Sequence, residues 1–258
     1  MSRRAGNWIA PVAVLVGLLL IWEAAAQWSV IADALSIRDF LVPAPSAVGE
    51  SLWNDRALLA ADAWVTLREV LAGLALAATA GLLLAVLIHR SETARRAVYP
   101  LLVGSQTIPI VAIAPILVVW LGFGIAPKLV IVALVCFFPI TVNALDGLRG
   151  TDPERVRMMS SLGASRRQVL VGLELPTALP SIFSGLRIAA AVAVIGAVFA
   201  EWAGSDAGLG HLIQLASAQL LTARVFAAIV VLSAMALALF WAIGAVERRV
   251  VTWRAEAA

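Results

Sequence analysis

Charge is what this sequence has least of. Aspartate, glutamate, lysine and arginine make up 14% of its 258 residues, where a soluble domain carries about a quarter, so a soluble globular fold is excluded. Lysine occurs once, at Lys128, against eighteen arginines, so the pI near 10 takes its meaning from where the arginines sit. Cys136 is the one cysteine; it lies in an apolar run, has no disulfide partner within the chain and reads as a small apolar filler. No stretch matches G-x-x-x-x-G-K-S/T, so the chain does not cradle nucleotide phosphates in the P-loop manner. Its arginines are not interleaved with stacking aromatics, which sets nucleic acid aside as a partner. Low-complexity segments and strong internal repeats are absent too, leaving one membrane domain.

What is present is apolar sequence in long runs. Apolar residues make up 62% of the chain and the mean hydropathy is +0.97. A bilayer core near 30 Å takes about 20 mostly apolar helical residues. Six such runs can be read, at 9–27, 66–88, 98–122, 128–147, 177–200 and 225–246, which predicts an all-α polytopic protein with six transmembrane helices. Pro109 and Pro115 fall inside the third run, and proline within a span frees carbonyls that must be satisfied by neighbours or line a cavity. The basic start at Arg3 and Arg4 followed by an apolar stretch resembles a signal peptide. The nearest cleavage candidate is Glu23-Ala24-Ala25-Ala26, and the segment is read as a retained anchor.

The arginines orient these spans. With the N-terminus inside, Arg3, Arg4, Arg90, Arg95, Arg96, Arg149, Arg155, Arg157, Arg166, Arg167, Arg248, Arg249 and Arg254 fall on the cytoplasmic side. The outer segments hold Arg38, Arg56, Arg68, Lys128 and Arg224, with Arg187 inside the fifth span. Thirteen against five is a positive-inside bias, so both termini are expected in the cytoplasm. His89 and His211 then lie on opposite sides, which excludes a metal shared between them. A facing Ser–His pair for hydrolysis at membrane depth is missing as well, so an enzyme is not expected. Outside, residues 28–65 carry Pro43-Ala44-Pro45-Ser46, Val48, Leu52, Trp53 and Leu58-Leu59 among polar residues, read as an interfacial helix lying on the outer surface. Trp8, Trp28, Trp202 and Trp253 sit near span ends as interfacial anchors. The chain thus divides into residues 1–65, the first span and the outer helix, and a core at 66–250.

One cytoplasmic segment, 152–175, is too structured for a plain connection. Asp152 before Pro153 is a good N-cap with proline at the first helical position. Val156, Met159 and Leu162 repeat at helical spacing, Gly163 breaks the helix, and Ser165 caps a second one carrying Val169, Leu170 and Leu173 before Pro176. Two readings stand on these residues alone: a knob that docks a soluble partner, or a loop of amphipathic helices resting on lipid.

The segment resembles the permease subunits of ATP-binding-cassette importers, whose motif runs E-A-A, three residues, G, nine residues, I-x-L-P. Here Gly163 is the glycine, residues 164–172 are the nine, and Leu173-Glu174-Leu175-Pro176 hold the I-x-L-P positions. Arg157-Met158-Met159 stand where E-A-A would be, a departure that touches any contact made through that Glu. Ser105-Gln106-Thr107-Ile108-Pro109, Trp120-Leu121-Gly122-Phe123-Gly124, Phe137-Phe138-Pro139-Ile140, Ser184-Gly185-Leu186-Arg187-Ile188 and Glu201-Trp202-Ala203-Gly204 with Gly208-Leu209-Gly210 extend the likeness over about 60–250. They look like the branch that includes sulfonate, taurine, nitrate, riboflavin and thiamine-pyrimidine permeases, with the wording of 105–115 and 195–202 nearer the last two.

The resemblance implies a MetI-like fold with cytoplasmic coupling helices, contacting the ATPase through Arg155, Ser160, Ser161, Gly163, Ala164 and Ser165. It implies a permease homodimer with the pore on its two-fold axis, two ATP-binding cassette subunits that hold ATP and Mg, and an extracytoplasmic binding protein. No cofactor is expected in this chain, and the location implied is a bacterial inner membrane. Polar residues within spans are expensive and face a cavity or each other. Candidates for the path are Ser105, Gln106, Thr107, Thr141, Asn143 and Glu201, each with an interhelical hydrogen bond as the alternative. Glu23 reads as a peripheral packing contact, and Arg187 as paired with Asp146 or with helix-end carbonyls. A sulfonate, taurine or nitrate importer permease is the alternative reading; a secondary transporter ranks below it, because the spans show no matching pair of broken helices and no buried ionisable chain.

Overall fold

A computed structural model of the chain describes residues 2–28 and 41–254, with side chains from 13 to 28 and 41 to 253. The described residues are helical throughout, with no strand. Helix α1 (Ser2–Gln27) leads to α2 (Pro45–Asn54), α3 (Arg56–Arg90), α4 (Glu92–Ser105), α5 (Ile110–Leu121) and α6 (Ile125–Arg149). Then come α7 (Pro153–Ser161), α8 (Arg166–Val169), a π-helical turn (Leu170–Glu174), α9 (Leu175–Gly204), α10 (Leu209–Ala218) and α11 (Thr222–Val250).

Four helical segments are long and apolar enough to cross a bilayer: Arg56–Arg90, Ile125–Arg149, Arg166–Gly204 and Thr222–Val250. The third expected span is not one rod. Helices α4 and α5 meet at 100°, because Pro109 lacks an N–H and its ring pushes Ile108 out of the helical region. Pro115, by contrast, sits in the second turn of α5 without ending it. Counting the bent pair as one span gives five, and α1 supplies the sixth apolar helix of the expected set.

The second span starts earlier than hydropathy suggested. Helix α3 has 35 residues, about 52 Å at 1.5 Å per residue, so it outruns the bilayer and takes in Leu58 and Leu59. No proline or glycine interrupts it before Gly73, and Leu59 is buried. The outer interfacial helix is therefore confined to α2, where Val48 is buried and Trp53 exposed. Arg38 and the rest of 29–40 lie outside the described residues.

Helices α6 and α9 form the centre, with α3 against α6. Their approach depends on missing side chains: a Cβ on Gly185 would lie 2.8 Å from Asn143 Cβ, and one on Gly147 2.8 Å from Ser181 Cβ. In lipid, where burial offers little drive, such small-residue contacts let backbones pack closely. Cys136 lies in this centre, fully buried, its thiol donating to the Ala189 carbonyl at 3.3 Å.

Two side chains differ from expectation. Arg187 pairs with Glu247 on α11 and lies over the Phe240 ring, its Cζ 5.7 Å from the centroid; Asp146, the expected partner, is exposed. The anion one helix away was invisible to a search along neighbouring sequence. Glu23 does more than pack: it accepts from the Ser46 N–H at 2.9 Å and the Ser46 hydroxyl at 2.7 Å. That caps the start of α2 and fastens α1 to it.

Candidate coupling knob and translocation path

The knob is built by capping. The Asp152 carboxylate accepts from the Glu154 N–H at 2.8 Å, and Arg155 lies 3.7 Å from its other oxygen. At the far end of α7 the Gly163 N–H bonds Ser160 O and the Ala164 N–H bonds Met159 O, both at 3.0 Å. Gly163 stands at φ +86°, the left-handed stop that glycine adopts without strain. Ser165 then starts α8 with a capping box: its N–H donates to Gln168 Oε1 at 2.7 Å and its hydroxyl receives the Gln168 N–H.

Arg155, Ser160, Ser161, Gly163 and Ser165 are exposed and Ala164 is half-buried, so all six expected coupling residues share one projecting surface. The apolar edge read from sequence divides. Val156 and Met159 turn inward, while Leu162 is 81% exposed and Met158 59%. Leu162 and Met158 thus give the tip of a polar hairpin an exposed apolar spot. The helical spacing of Val156, Met159 and Leu162 hints at an apolar edge, but not at which member faces out. A Cβ on Gly163 would meet nothing within 4 Å; glycine is required there by its φ, not by crowding from the neighbouring backbone.

The knob is tied to the spans at its base. His89 Nε2, one residue from the end of α3, lies 3.1 Å from Glu174 in the π-helical turn. A cavity of about 320 Å³ opens beside that contact, lined by Arg90, Val156, Ser160, Ala164 and Arg166 among others. His89 therefore links the end of one span to the root of the knob. A π-helical turn is rare and is frequently found at functional sites; this one joins α8 to α9 without a break.

The path candidates separate into two groups. Ser105, Gln106 and Thr107 stand together at the α4–α5 bend. The Ser105 hydroxyl donates to Leu102 O at 2.7 Å, and the Thr107 hydroxyl to Gly104 O at 2.8 Å beside the Thr107 N–H at 3.0 Å, so carbonyls at the broken helix end are satisfied locally. The exposed Gln106 side chain has no hydrogen-bond partner among the described residues. Asn143, half-buried, donates back to Pro139 O at 2.8 Å.

Thr141 and Glu201 do not face open space. Thr141 is fully buried and donates to Phe137 O at 2.7 Å. Glu201 is 1% exposed and caps α10. Its carboxylate accepts from the Gly210 N–H at 2.5 Å, the His211 N–H at 3.2 Å and the Thr66 hydroxyl at 2.6 Å. An anion at a helix N-terminus meets unpaired N–H groups and the positive end of the dipole. Gly208, at φ +115°, lets the chain pass directly over that carboxylate. Nearby, Lys128 Nζ binds Glu69 at 2.6 Å and Ser205 at 2.6 Å, a buried ion pair that sequence reading missed because its carboxylate lies 59 residues away.

The fold and the projecting hairpin together are those of a multi-span membrane protein. The family model of the binding-protein-dependent transport system inner membrane component matches residues 77–252, and the chain belongs to that family of ATP-binding-cassette permeases. Permeases of this kind are non-catalytic, the ATPase residing in a separate subunit, and the chain is a multi-pass inner-membrane protein. It is 38% identical over 253 residues to the formylaminopyrimidine transport permease protein ThiX of Halalkalibacterium halodurans, covering 98% of each chain. To the riboflavin transport system permease protein RibX of Chloroflexus aurantiacus it is 34% identical over 247 residues, 95% of this chain and 90% of that one. Among solved structures, an inward-facing form of the MetNI methionine ABC transporter superposes with a TM-score of 0.66 at 19% identity, covering 76% of this chain and 97% of that one. That likeness bears on the fold, which is MetI-like.

Proposed function

We propose that the chain is the importing permease for a small, uncharged, nitrogen-rich ring compound of the formylaminopyrimidine kind, handed over by an extracytoplasmic binding protein. The observation that carries the solute class is the near full-length identity of 38% to a formylaminopyrimidine permease. A riboflavin-like solute comes next by the same measure. In this reading two copies of the chain form the pore on their two-fold axis, and both termini lie in the cytoplasm. Two ATP-binding cassette subunits, which hold ATP and Mg, grip the knobs through Arg155, Ser160, Ser161, Gly163, Ala164 and Ser165. The bare Leu162 side chain adds an apolar anchor to that contact. Ser105, Gln106, Thr107 and Asn143 border the path; Thr141 and Glu201 hold the fold.

ATP hydrolysis by the reconstituted permease–ATPase complex tests this. Binding protein loaded with formylaminopyrimidine should stimulate it, and Gly163→Trp should abolish the stimulation while the spans stay folded. Failure of any ATPase to associate with the native chain would overturn the importer reading, and stimulation by taurine-loaded protein alone would move the solute to the sulfonates.

A further inference from the structure

We propose that the crook between α4 and α5 is a solute site of the permease itself, shaped for one flat, uncharged heteroaromatic ring and read by the side-chain amide of Gln106. The inference rests on the import reading and adds a second place of selection to it, inside the membrane.

Depth makes Gln106 informative. Past its last charged residue, Arg96, helix α4 runs on from Ala97 to Ser105, about 14 Å at 1.5 Å per residue, which along the membrane normal reaches the middle of a core about 30 Å thick. A polar side chain there faces a cavity or a partner, because lipid offers it no hydrogen bond. The neighbouring hydroxyls of Ser105 and Thr107 are already donating to Leu102 O and Gly104 O. Gln106 alone keeps its donors and its acceptor uncommitted among the described residues.

The space beside it is formed and small. A cavity of about 360 Å³ fills the crook, lined by Ser105, Gln106, Pro109, Ile113, Val135 and Phe137 among others. That is the low end of the range for small-molecule sites, room for a single substituted ring rather than a fused system. Phe137 on α6 offers the aromatic wall against which a flat ring stacks. A primary amide presents an acceptor and two donors side by side, which matches the alternating donor and acceptor edge of an aminopyrimidine.

Charge excludes the sulfonates and nitrate of the branch. No ionisable side chain lines this cavity. Two cations deep in the helical core are taken, Lys128 by Glu69 and Arg187 by Glu247. A sulfonate or nitrate would therefore enter the crook without a counter-charge in a medium of low dielectric.

The test is equilibrium binding of tritiated formylaminopyrimidine to the purified permease–ATPase complex in nanodiscs, with no binding protein present. Saturable binding is expected, weakened about tenfold by Gln106→Leu, the effect of losing one good hydrogen bond from a dry site. Phe137→Leu should also weaken it, the distant exposed Gln219→Leu should leave it unchanged, and taurine should not compete. Basal ATP hydrolysis and elution as an intact complex, measured on each variant, separate loss of the site from loss of the fold; Gln106→Asn serves if the leucine variant does not assemble. Equal binding by native, Gln106→Leu and Phe137→Leu complexes overturns the proposal, as does competition by taurine. So does disulfide formation between copies through Gln106→Cys with probe binding unimpaired, which would make the crook a permease–permease contact. If loaded binding protein still stimulates hydrolysis in those cases, the solute site fails alone and the importer reading survives.

Discussion

The knob at 152–175 and the corner around Glu201 are built on the same plan and serve opposite ends. Each is a chain reversal between two helices with a positive-φ glycine, Gly163 in one and Gly208 in the other, and each has an oxygen side chain capping the next helix. At the knob every cap is local, within five residues, and the tip looks into open space, with nothing within 4 Å of a Cβ at Gly163. At the corner the partners come from far along the chain, Thr66 reaching Glu201 across 135 residues, and Glu201 is 1% exposed. A hairpin whose caps are its own, tied to the spans only at its base, keeps its shape whatever the spans do. A corner held by three helices cannot move without breaking bonds. In the proposed reading coupling therefore belongs to the knob, and rigidity to the corner.

The comparison breaks most visibly at Glu201. Glu201→Ala strands the Gly210 and His211 N–H groups in a buried site, while the Thr66 hydroxyl keeps the Asp62 carbonyl, and each unsatisfied group costs about 1–3 kcal/mol. We expect a loss of about 3 kcal/mol or more, read as a large fall in the thermal midpoint of the detergent-solubilised permease. Gly208→Ala should approach it, because the new Cβ would fall on the Glu201 carboxylate. A midpoint unchanged in both would show that the corner is loose. Gly163→Ala shifts the same balance the other way. Its Cβ has room, so only the left-handed backbone opposes it, at about 1 kcal/mol, borne by the knob alone. The thermal midpoint of the spans should hold while ATP hydrolysis stimulated by binding protein falls several-fold. Leu162→Asp sharpens the point further. That side chain touches nothing that folds the chain, so stability should be unmoved and association with the ATPase should weaken.

How much of this was legible follows from the same contrast. The knob could be read residue by residue because capping is local: Asp152-Pro153, Gly163 and Ser165 announce two helices and a stop before any partner is known. The spans were legible because hydropathy averages over twenty residues, and the average missed what single residues do within it. Pro109 was seen in the third run, but the 100° turn it produces depends on what α5 packs against. The corner was illegible in detail. Glu201 stood out as a carboxylate at a span end, and its partners Thr66, Gly210 and His211 are assembled only by the fold. The Glu69–Lys128 and Arg187–Glu247 pairs were hidden for the same reason, and the π-helical turn at 170–174 has no local sequence cause that we can name.

The smallest expected effect lies at the outer rim, where Asp55 between α2 and α3 receives two hydrogen bonds from Arg224, at 2.9 and 2.7 Å. The guanidinium holds the Asp55 carboxyl below its ordinary value of 3.8. A depressed carboxyl stabilises the folded state fully above the unfolded value and loses that contribution as pH falls through the folded one. Stability from this pair should therefore be flat from pH 7 down to about pH 4 and decline only below it. The pair is largely solvated, so its worth is about 1 kcal/mol or less. Asp55→Asn should lower the thermal midpoint slightly at pH 7 and by less near pH 3, below the ordinary value of 3.8, where part of the pair's contribution has already gone. An equal loss at both pH values would mean that Asp55 matters as a hydrogen-bonding link between α2, α3 and α11 and not as a charge, placing it with the rigid corner instead of with the solvated surface.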